Sequence, residues 1–217
     1  MQKKYFLNFE ADKMFLRNKD QLLNKNYNKD EIYLTLKNKI KKNHKYNILE
    51  IGCAGGDRLI FLKKQFPKCT FYGIDPSKKA VKNKKKNNIY LRVGSADKLP
   101  YINNKFDIII FGFCLYLCDR EDLFLISKEA DRVLRSSGWL MILDFFSPMP
   151  FAKKYHHLQG IHSYKMDYRT LFTWHPDYEC VTHTLRSHHD AGGGYSDNKD
   201  EWVALSNIRK FKTDIQI

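Results

Sequence analysis

The sequence predicts an α/β protein in which helices cover both faces of a mostly parallel sheet. Short, almost wholly apolar runs alternate with helical stretches between residues 46 and 145. Such runs are typical of strands buried on both faces of a sheet, with helices as the crossovers. A glycine cluster follows the first run, where a strand turns into a helix. With 217 residues and 43% hydrophobic side chains, the chain is large enough to form one domain with its own core.

The apolar runs define the central elements in order. We predict five parallel strands at residues 46–51, 69–74, 89–93, 106–111 and 139–145. Between them we predict helices at residues 57–66, 78–86 and 121–135. The last of these helices is expected to end at a cap formed by Ser136, Ser137 and Gly138. The alternation therefore predicts a doubly wound sheet.

The two ends of the chain differ from this centre. Residues 5–43 predict two polar-rich helices, and residues 147–176 predict loop and short helix. Residues 178–188 and 201–209 predict an antiparallel hairpin around a glycine-rich turn, which brings the sheet to seven strands. We expect one domain with three parts: an N-terminal helical cap (1–44), a central core (45–147) and a C-terminal segment with the hairpin (148–217).

The net charge of +14 is unevenly distributed. Residues 1–90 contain 22 Lys plus Arg and 8 Asp plus Glu, whereas residues 91–217 contain 16 of each. A surface for nucleic acid or for an anionic substrate is one interpretation. Lys far outnumbers Arg, however, and charge runs are usually solvated faces, so we favour a compositional origin.

Cysteine usage and hydropathy indicate the compartment. The five Cys are odd in number and include no CxxC pair, which favours a reducing environment. No apolar run approaches the roughly eighteen residues of a membrane span. We therefore expect a soluble, cytoplasmic protein with no membrane partner, and the composition indicates no oligomeric state.

The glycine cluster carries the strongest chemical signal. Small residues stand at Gly52, Ala54 and Gly56, and Asp57 occupies the place of the third glycine in the dinucleotide fingerprint. Glu50 and Asp57 are electrostatically wrong for a pyrophosphate. Glu50 suits a cationic ligand, such as a sulfonium with an amino-acid tail. Asp75, which ends the second strand, can accept hydrogen bonds from two ribose hydroxyls.

These residues resemble the class I S-adenosylmethionine-dependent methyltransferases, in the broad group with the motif E-x-G-C-x-x-G. The resemblance covers about residues 46–147 and includes FDIIIFGFCLYL and VLRSSGWLMILDF. It implies a Rossmann-like fold and S-adenosyl-L-methionine as cofactor. By resemblance, Glu50 and the loop 52–56 would hold the methionine part, Asp75 the ribose and Asp97 the adenine. The full set of implied cofactor-binding residues is Glu50, Gly52, Cys53, Ala54, Gly56, Asp75, Pro76, Ala96, Asp97, Phe111 and Phe113.

The acceptor side is less defined by sequence. Seven of the eight His follow Pro148, and His is the natural proton acceptor near neutral pH. We predict His156 and His157 as the catalytic base, because they follow the fifth strand by about ten residues. Residues Tyr116, Asp144, His162 and Tyr164 are predicted to contact the substrate. Most of these His could equally be surface or core residues, and His188 with His189 could reach the pocket or be solvated.

Several chemistries lack their signature. No H-x-x-x-H or H-E-x-x-H spacing occurs, and Phe111–Phe113 stand where metal-assisted relatives of this fold place an Asp, so we predict no metal. The D/N-P-P-Y/F motif of base-amino methyltransferases and the Pro-Cys of cytosine methyltransferases are also missing. Nucleic acid is therefore a disfavoured partner.

We predict an enzyme that transfers a methyl group from S-adenosylmethionine to an oxygen or nitrogen of a small molecule. A sugar, a nucleotide-linked sugar or a phosphorylated precursor in surface-polysaccharide or secondary metabolism is the preferred class of acceptor, which an anionic group would suit. An RNA- or protein-directed methyltransferase that uses residues 78–86 is one alternative. A non-catalytic cofactor-binding module is the other.

Overall fold

An eight-stranded sheet forms the centre of the protein. The computed structural model describes residues 2–41, 43–81, 85–86, 88–189, 194 and 196–211. The strands of the large sheet lie in the order β3-β4-β2-β1-β5-β6-β10-β9, and β7 pairs with β8 in a separate hairpin. Their bounds are β1 Asn47–Ile51, β2 Thr70–Asp75, β3 Lys85–Lys86, β4 Ile89–Val93, β5 Phe106–Gly112, β6 Leu134–Phe145, β7 Phe151–Lys154, β8 His162–Lys165, β9 Tyr178–Ser187 and β10 Trp202–Lys210.

Strands β4, β2, β1, β5 and β6 are mutually parallel, whereas β10 runs antiparallel to both β6 and β9. This arrangement confirms the predicted Rossmann-like sheet of five parallel strands with a C-terminal antiparallel hairpin. The two-residue β3 adds an antiparallel edge to β4.

Seven α-helices are described: α1 Gln2–Tyr5, α2 Ala11–Leu23, α3 Glu31–Lys39, α4 Asp57–Gln65, α5 Lys78–Val81, α6 Leu123–Val133 and α7 Thr170–Thr173. A π-helical turn, Phe6–Glu10, joins α1 to α2. Short 3₁₀ turns lie at Tyr27–Lys29, Leu115–Leu117, Arg120–Asp122 and Lys199–Glu201. Within the described ranges every helix is too short or too polar to span a bilayer.

Helices cover the sheet on both faces because the strands are apolar on both sides. The six residues that precede Gly112 in β5 are all buried, as expected for a central parallel strand. One buried cluster joins the sheet to α6 and α7, and another joins it to α3, α4 and α5. In α6, Leu123, Ile126, Ala130 and Val133 follow helical spacing and face the sheet.

Three predicted elements differ from the structure. Of the helix predicted at 78–86, the turn Lys78–Val81 is helical, and residues 82–84 lie outside the described residues. Residues 85–86 are strand rather than helix, because they pair with β4. Helix α6 ends at Val133, and the predicted cap lies in an irregular part of β6 where Ser137 has a φ of 60°. The segment 147–176 contains the hairpin β7–β8. In the predicted glycine-rich turn, residues 191–193 lie outside the described residues.

The N-terminal helices lie over the carboxyl ends of the parallel strands. Gln2 is buried, and its side-chain amide donates to the carbonyl oxygens of Leu117 (3.1 Å) and His162 (2.8 Å) while its oxygen accepts from the His162 N–H (2.8 Å). In α2, the Asp12 carboxylate accepts from the Ser77 hydroxyl (2.7 Å) and the Lys79 N–H (2.9 Å). These contacts fix the helices as a roof over that edge of the sheet.

Candidate active site

A cavity of about 840 Å³ lies between the carboxyl edge of the sheet and the N-terminal roof. Its floor consists of residues at the ends of successive parallel strands, where open α/β sheets bind their ligands. Four such groups line it: 50–54 at the end of β1, Asp75 and Pro76 at the end of β2, 94–97 after β4, and 112–114 at the end of β5. The roof contributes side chains from α1, the π turn and α2.

Glu50 lies at one end of this floor and is almost completely buried, with 1% of its surface exposed. Arg58 donates a hydrogen bond to its Oε1, whereas Oε2 is buried without a partner among the described residues. Burial raises the pKa of the Glu50 carboxyl, and the charge of Arg58 opposes that shift. A buried acceptor with nothing to accept from is costly, so Oε2 fits a cationic donor on a ligand.

Arg58 connects Glu50 to the helical cap. Its guanidinium also contacts both carboxylate oxygens of Asp30 at 3.2–3.3 Å, and Lys25 donates to the same carboxylate at 2.7 Å. Burial would raise the pKa of Asp30, but Arg58 and Lys25 outweigh it and lower that pKa. Gly112 leaves room for the pair, since a Cβ there would lie 2.8 Å from the Arg58 Nη1. This network holds Glu50 in place.

The loop after β1 requires left-handed backbone at three positions. Gly52 and Gly56 have φ of 77° and 78°, and a Cβ on Gly52 would lie 2.6 Å from the Cys114 Cβ. Ala54 also has a positive φ, 46°, although it carries a Cβ. Its N–H donates to the Asp75 Oδ2 at 2.8 Å. The loop is therefore tied to the end of β2 through a strained residue.

Replacing Ala54 by Gly is expected to stabilise the protein. Relief of the left-handed strain outweighs the added freedom of the unfolded chain, for a net gain of up to about 1 kcal/mol in the free energy of unfolding. Urea unfolding followed by circular dichroism measures the change. Ala130→Gly in the right-handed helix α6 is the matched control, and we expect it to lose about 1 kcal/mol or more. A loss at Ala54 as large as that at Ala130 would contradict the strain argument.

Asp75 is oriented by backbone groups. Besides the bond from Ala54, its Oδ1 accepts from the Ser77 N–H at 2.9 Å. Burial raises the pKa of Asp75, and the two backbone donors oppose the shift. Each carboxylate oxygen keeps acceptor capacity, since a carboxylate has about four lone-pair directions. Asp75 can therefore accept from the hydroxyls of a ligand in the cavity.

Asp97 is paired with the roof. Lys3 donates to its Oδ2 at 2.6 Å and also contacts Asp122 at 3.1 Å. Burial would raise the pKa of Asp97, but the hydrogen bond and charge of Lys3 lower it. The predicted adenine-binding carboxylate thus also anchors α1. Nothing in the sequence pattern indicated this pairing.

The other end of the cavity is aromatic. The Phe113 ring packs edge-on against Phe145 (5.6 Å between centroids), and Tyr116 packs edge-on against the same ring at 5.0 Å. His188, at the end of the hairpin, lies 5.0 Å from Phe145 and 6.0 Å from Phe113. All four residues line the cavity. We call them the aromatic wall.

Asp144 supports this wall from behind. It is buried, and its carboxylate accepts from the N–H groups of Cys114 (3.0 Å), Leu115 (2.8 Å) and Phe145 (2.8 Å). Burial raises its pKa to about 7, although the backbone donors oppose the shift. Asp144 is not among the residues that line the cavity, so nothing in this geometry supports its predicted contact with substrate, which stays a prediction. Its role is to hold the loop that carries Phe113 and Tyr116.

The structure separates the predicted residues into two sets. Those that line the cavity are Glu50, Gly52, Cys53, Ala54, Asp75, Pro76, Ala96, Asp97, Phe113, Tyr116 and His157. Those that do not are Gly56, Phe111, Asp144, His156, His162 and Tyr164. Gly56 makes the turn into α4, and Phe111 is fully buried in the core. His156 is exposed and is not part of the cavity wall, and Tyr164 stacks under Arg120, with 4.1 Å between the guanidinium carbon and the ring centroid.

Several residues of the cavity wall were not predicted as site residues, among them Lys3, Arg58, Phe145 and Arg186. The sequence offered one signal for Arg58. It stands in the first turn of α4, eight residues after Glu50, and a buried carboxylate at the end of a strand needs a cation as its partner. Among the described residues, no cluster of His, Cys, Asp and Glu is arranged to hold a metal ion.

Comparisons with known proteins agree with this geometry. Residues 49–142 match the family described as a methyltransferase domain. A demethylmenaquinone methyltransferase of Chlorobaculum parvum is 32% identical over 109 residues, which is 49% of this chain and 44% of that protein. A SAM-dependent methyltransferase of Methanosarcina mazei superposes with a TM-score of 0.65 at 16% identity, covering 82% of this chain and 97% of the other.

A further structural neighbour contains ligands. It is the 1,6-didemethyltoxoflavin-N1-methyltransferase of Burkholderia thailandensis, solved with S-adenosylhomocysteine and 1,6-didemethyltoxoflavin. Its TM-score is 0.67 at 12% identity, covering 92% of this chain and 85% of the other. These structural similarities show the fold. The chain spans less than half the length of the curated relative named above, 44% of it.

The sheet order and the family match agree for residues 49–142. This part of the chain is similar to the Rossmann-like methyltransferase domains of class I, whose cofactor is S-adenosyl-L-methionine. The matched residues 49–142 place the core of this chain in the methyltransferase domain family.

Proposed function

We propose that this chain transfers the methyl group of S-adenosylmethionine to an oxygen or nitrogen of an uncharged, ring-bearing small molecule. One observation carries the proposal: a single cavity joins the carboxylates of Glu50 and Asp75 to the aromatic wall. Such a cavity can hold a cofactor at one end and an acceptor at the other. A group transfer also requires that water be kept from the reacting groups, and the N-terminal roof covers this edge of the sheet.

The residues present fit the cofactor. Glu50 Oε2 would accept from the ammonium group of the methionine part, and Asp75 from the ribose hydroxyls. The loop 52–56 can make its tight turn at the cavity floor because Gly52 and Gly56 adopt left-handed backbone, where a Cβ would also clash with Cys114 and with Leu91. Asp97 would accept from the adenine amino group beside Lys3. When bound, the cofactor supplies an electrophilic methyl group on its sulfonium.

The charges of the cavity support an uncharged acceptor. Its wall contains five Lys or Arg residues, and each has a carboxylate partner among the described residues: Lys3 with Asp97, Arg17 with Glu10, Lys25 with Asp30, Arg58 with Glu50, and Arg186 with Glu31. A phosphorylated acceptor would need to displace one of these pairs. The acceptor class expected from sequence, a phosphorylated or nucleotide-linked sugar, is therefore less well supported than a flat apolar ring.

The aromatic wall supports the same conclusion. Rings that pack edge to face present broad apolar surfaces, and these surfaces favour flat ligands over sugars with many hydroxyls. The neighbour solved with 1,6-didemethyltoxoflavin and the demethylmenaquinone methyltransferase are named for small-molecule methylation. We take small molecules, rather than RNA or protein, as the acceptor class on these grounds.

His188 is the residue we propose as proton acceptor. Its ring lines the cavity and has no hydrogen-bond partner among the described residues. Partial burial, with the nearby charges of His189, Arg186 and Lys165, lowers its pKa, so the ring is neutral at pH 7 and can take a proton. His156, predicted for this role, lies outside the cavity, and His157 lies at its exposed rim.

The experiment that tests the function uses S-adenosylmethionine with a labelled methyl group. The protein is incubated with separate pools of small molecules, RNA and protein, and each pool is then assayed for label. We expect label in the organic-extractable small molecules. Label confined to RNA or protein would support the macromolecular alternative. Cofactor binding by calorimetry without label in any pool would support a non-catalytic module.

His188→Gln is expected to lower the turnover of the labelled acceptor by about 100-fold, the usual range for loss of a general base. In the wild type, the activity should fall only below the ordinary imidazole pKa of 6.5, since the pKa of His188 is lowered. That acid limb should vanish in the variant, while cofactor affinity stays constant. His156→Gln is the matched control, and an equal effect of the two changes would contradict the assignment.

A further inference from the structure

A second cavity, of about 590 Å³, lies at the opposite edge of the sheet, where the parallel strands begin. We call it the basal cavity. Four of its residues are cationic, Lys39, Lys41, Arg135 and Arg209, and one, Asp107, is anionic. The rest of its wall is Tyr46, Ile108, Ser137, Trp139, Val181 and Phe211. No residue of this set belongs to the cofactor cavity.

Strand register builds the centre of the basal cavity. Ile108 in β5, Trp139 in β6 and Arg209 in β10 are direct partners across neighbouring strands. Directly opposite residues project to the same face of a sheet, and the Arg209 guanidinium carbon lies 4.9 Å from the Trp139 ring centroid. From the end of α3, the Lys39 Nζ lies 3.2 Å from the same centroid. Two cations thus converge on one indole.

Among the described residues, no carboxylate compensates the charges of these two cations. The Asp107 carboxylate forms an ion pair with Arg135 at 2.5 Å and accepts a hydrogen bond from the Asn47 N–H at 2.6 Å. Its negative charge is therefore balanced by Arg135 rather than by Lys39 or Arg209. Lys39 and Arg209 have no ion pair within the described parts of the chain. Glu179 is the ladder partner of Arg209 in β9 but is exposed and does not contact it within ion-pair distance.

The electrostatic consequence is mutual repulsion. Burial, together with the charge of Arg209, lowers the pKa of Lys39, and burial with the charge of Arg135 lowers the pKa of Arg209. In the cofactor cavity, by contrast, every Lys and Arg on the wall has a carboxylate partner among the described residues. An anion in the basal cavity would relieve this repulsion, which no carboxylate of the described residues offsets.

We propose that the basal cavity binds a phosphate group through Lys39 and Arg209, at a site separate from methyl transfer. A guanidinium offers a planar fork that matches two phosphate oxygens, and an ammonium adds a compact charge beside it. Lys41 lies at the same rim. Trp139 closes the apolar side and holds both cations in place by cation–π contact. The phosphate belongs either to a free inorganic anion or to a small phosphate ester.

The test measures binding of inorganic pyrophosphate to the full chain by calorimetry and by tryptophan fluorescence, without cofactor or acceptor. We expect saturable binding and a change in the emission of Trp139. Lys39→Gln and Arg209→Gln should each weaken binding about tenfold or more, the usual effect of one charge-assisted bond. Ribose 5-phosphate and inorganic phosphate are run in parallel, and the tighter of these two identifies the source of the group.

Two variants make the outcome specific. Trp139→Phe should lose the fluorescence change, because the indole is gone. It should keep most of the pyrophosphate affinity, because an aromatic ring still packs against the two cations. Lys128→Gln removes the same charge from an exposed position on α6 and should leave binding unchanged. Absence of saturable binding, or equal weakening by Lys128→Gln and Lys39→Gln, would overturn the proposal. Thermal melting of each variant confirms that it is folded.

Discussion

Glu50→Gln is expected to lower the affinity for S-adenosylmethionine by roughly 30- to 1,000-fold, because it removes one charge of a buried ion pair with the ligand. In the wild type, Oε1 accepts from Arg58 and the buried Oε2 has no partner among the described residues. In the variant, the amide oxygen can still accept from Arg58. Its NH₂ group then replaces Oε2 and turns two donors toward a ligand ammonium.

The measurement is calorimetric titration with S-adenosylmethionine and with adenosine. Adenosine lacks the amino-acid part, so Glu50→Gln should bind it as the wild type does. Glu121→Gln, which removes the same charge from an exposed position, serves as the second control. S-adenosylmethionine affinity within threefold of the wild type would contradict the role of Oε2. Equal losses for both ligands would show that the loop had been distorted instead.

Asp144→Ala is expected to lower the free energy of unfolding by about 3–6 kcal/mol, since buried donors without an acceptor cost about 1–3 kcal/mol each. The change leaves the N–H groups of Cys114, Leu115 and Phe145 without their carboxylate. Asp144→Asn keeps one acceptor oxygen and should lose less. Chemical unfolding measures both variants, and a loss below about 1 kcal/mol for Asp144→Ala would contradict this account.

The same carboxyl gives stability a defined pH dependence. The folded protein keeps the Asp144 proton up to a pKa of about 7, whereas the unfolded chain releases it near 3.8. Between these values the folded state binds more protons, so this contribution falls by about 1.4 kcal/mol per pH unit as the pH rises, and it is lost above pH 7. The wild type should therefore exceed Asp144→Asn in stability by more at pH 5 than at pH 8.

Asp167 provides a control because its pKa is shifted in the direction opposite to that of Asp144. Burial would raise its pKa, but Arg169 lowers it below the ordinary value, so its contribution is present throughout the range from pH 5 to pH 8. The difference between wild type and Asp167→Asn should be constant over that range. If the difference for Asp144→Asn is equally constant, the carboxyl is ionised at both pH values and the pH argument fails.

Local patterns predicted the elements of the core well. The five parallel strands lie within a few residues of their predicted places, because an apolar run between turn residues has few alternatives to a buried strand. Residues 147–176 were harder, since the hairpin β7–β8 is short and amphipathic. Its strands are held by Gln2 and by pairing with each other, and neither contact leaves a periodic signal in the sequence.

The candidate site shows the same division. The acidic residues near the ends of β1, β2 and β4 were predicted because Glu50 and Asp75 lie in the last two positions of their strands and Asp97 comes four residues after β4. The proton acceptor was sought in His156 and His157, close to β6 in sequence. His188 reaches Phe145 only because β9 returns beside β10, which pairs with β6. The hairpin was predicted, but its register, and with it the direction of the ring, was not.

The sequence by itself determined the order of strands, the cofactor loop and the class of the cofactor. These properties depend on neighbouring residues: a strand, its terminal carboxylate and the following glycines are contiguous, so their spacing fixes their geometry. The tertiary structure decided which cations have carboxylate partners among the described residues and which rings line the cavity. Arg58 meets Asp30, and Lys3 meets Asp97, across 28 and 94 residues of chain. Such contacts form only when distant segments pack together, so local sequence patterns do not predict them.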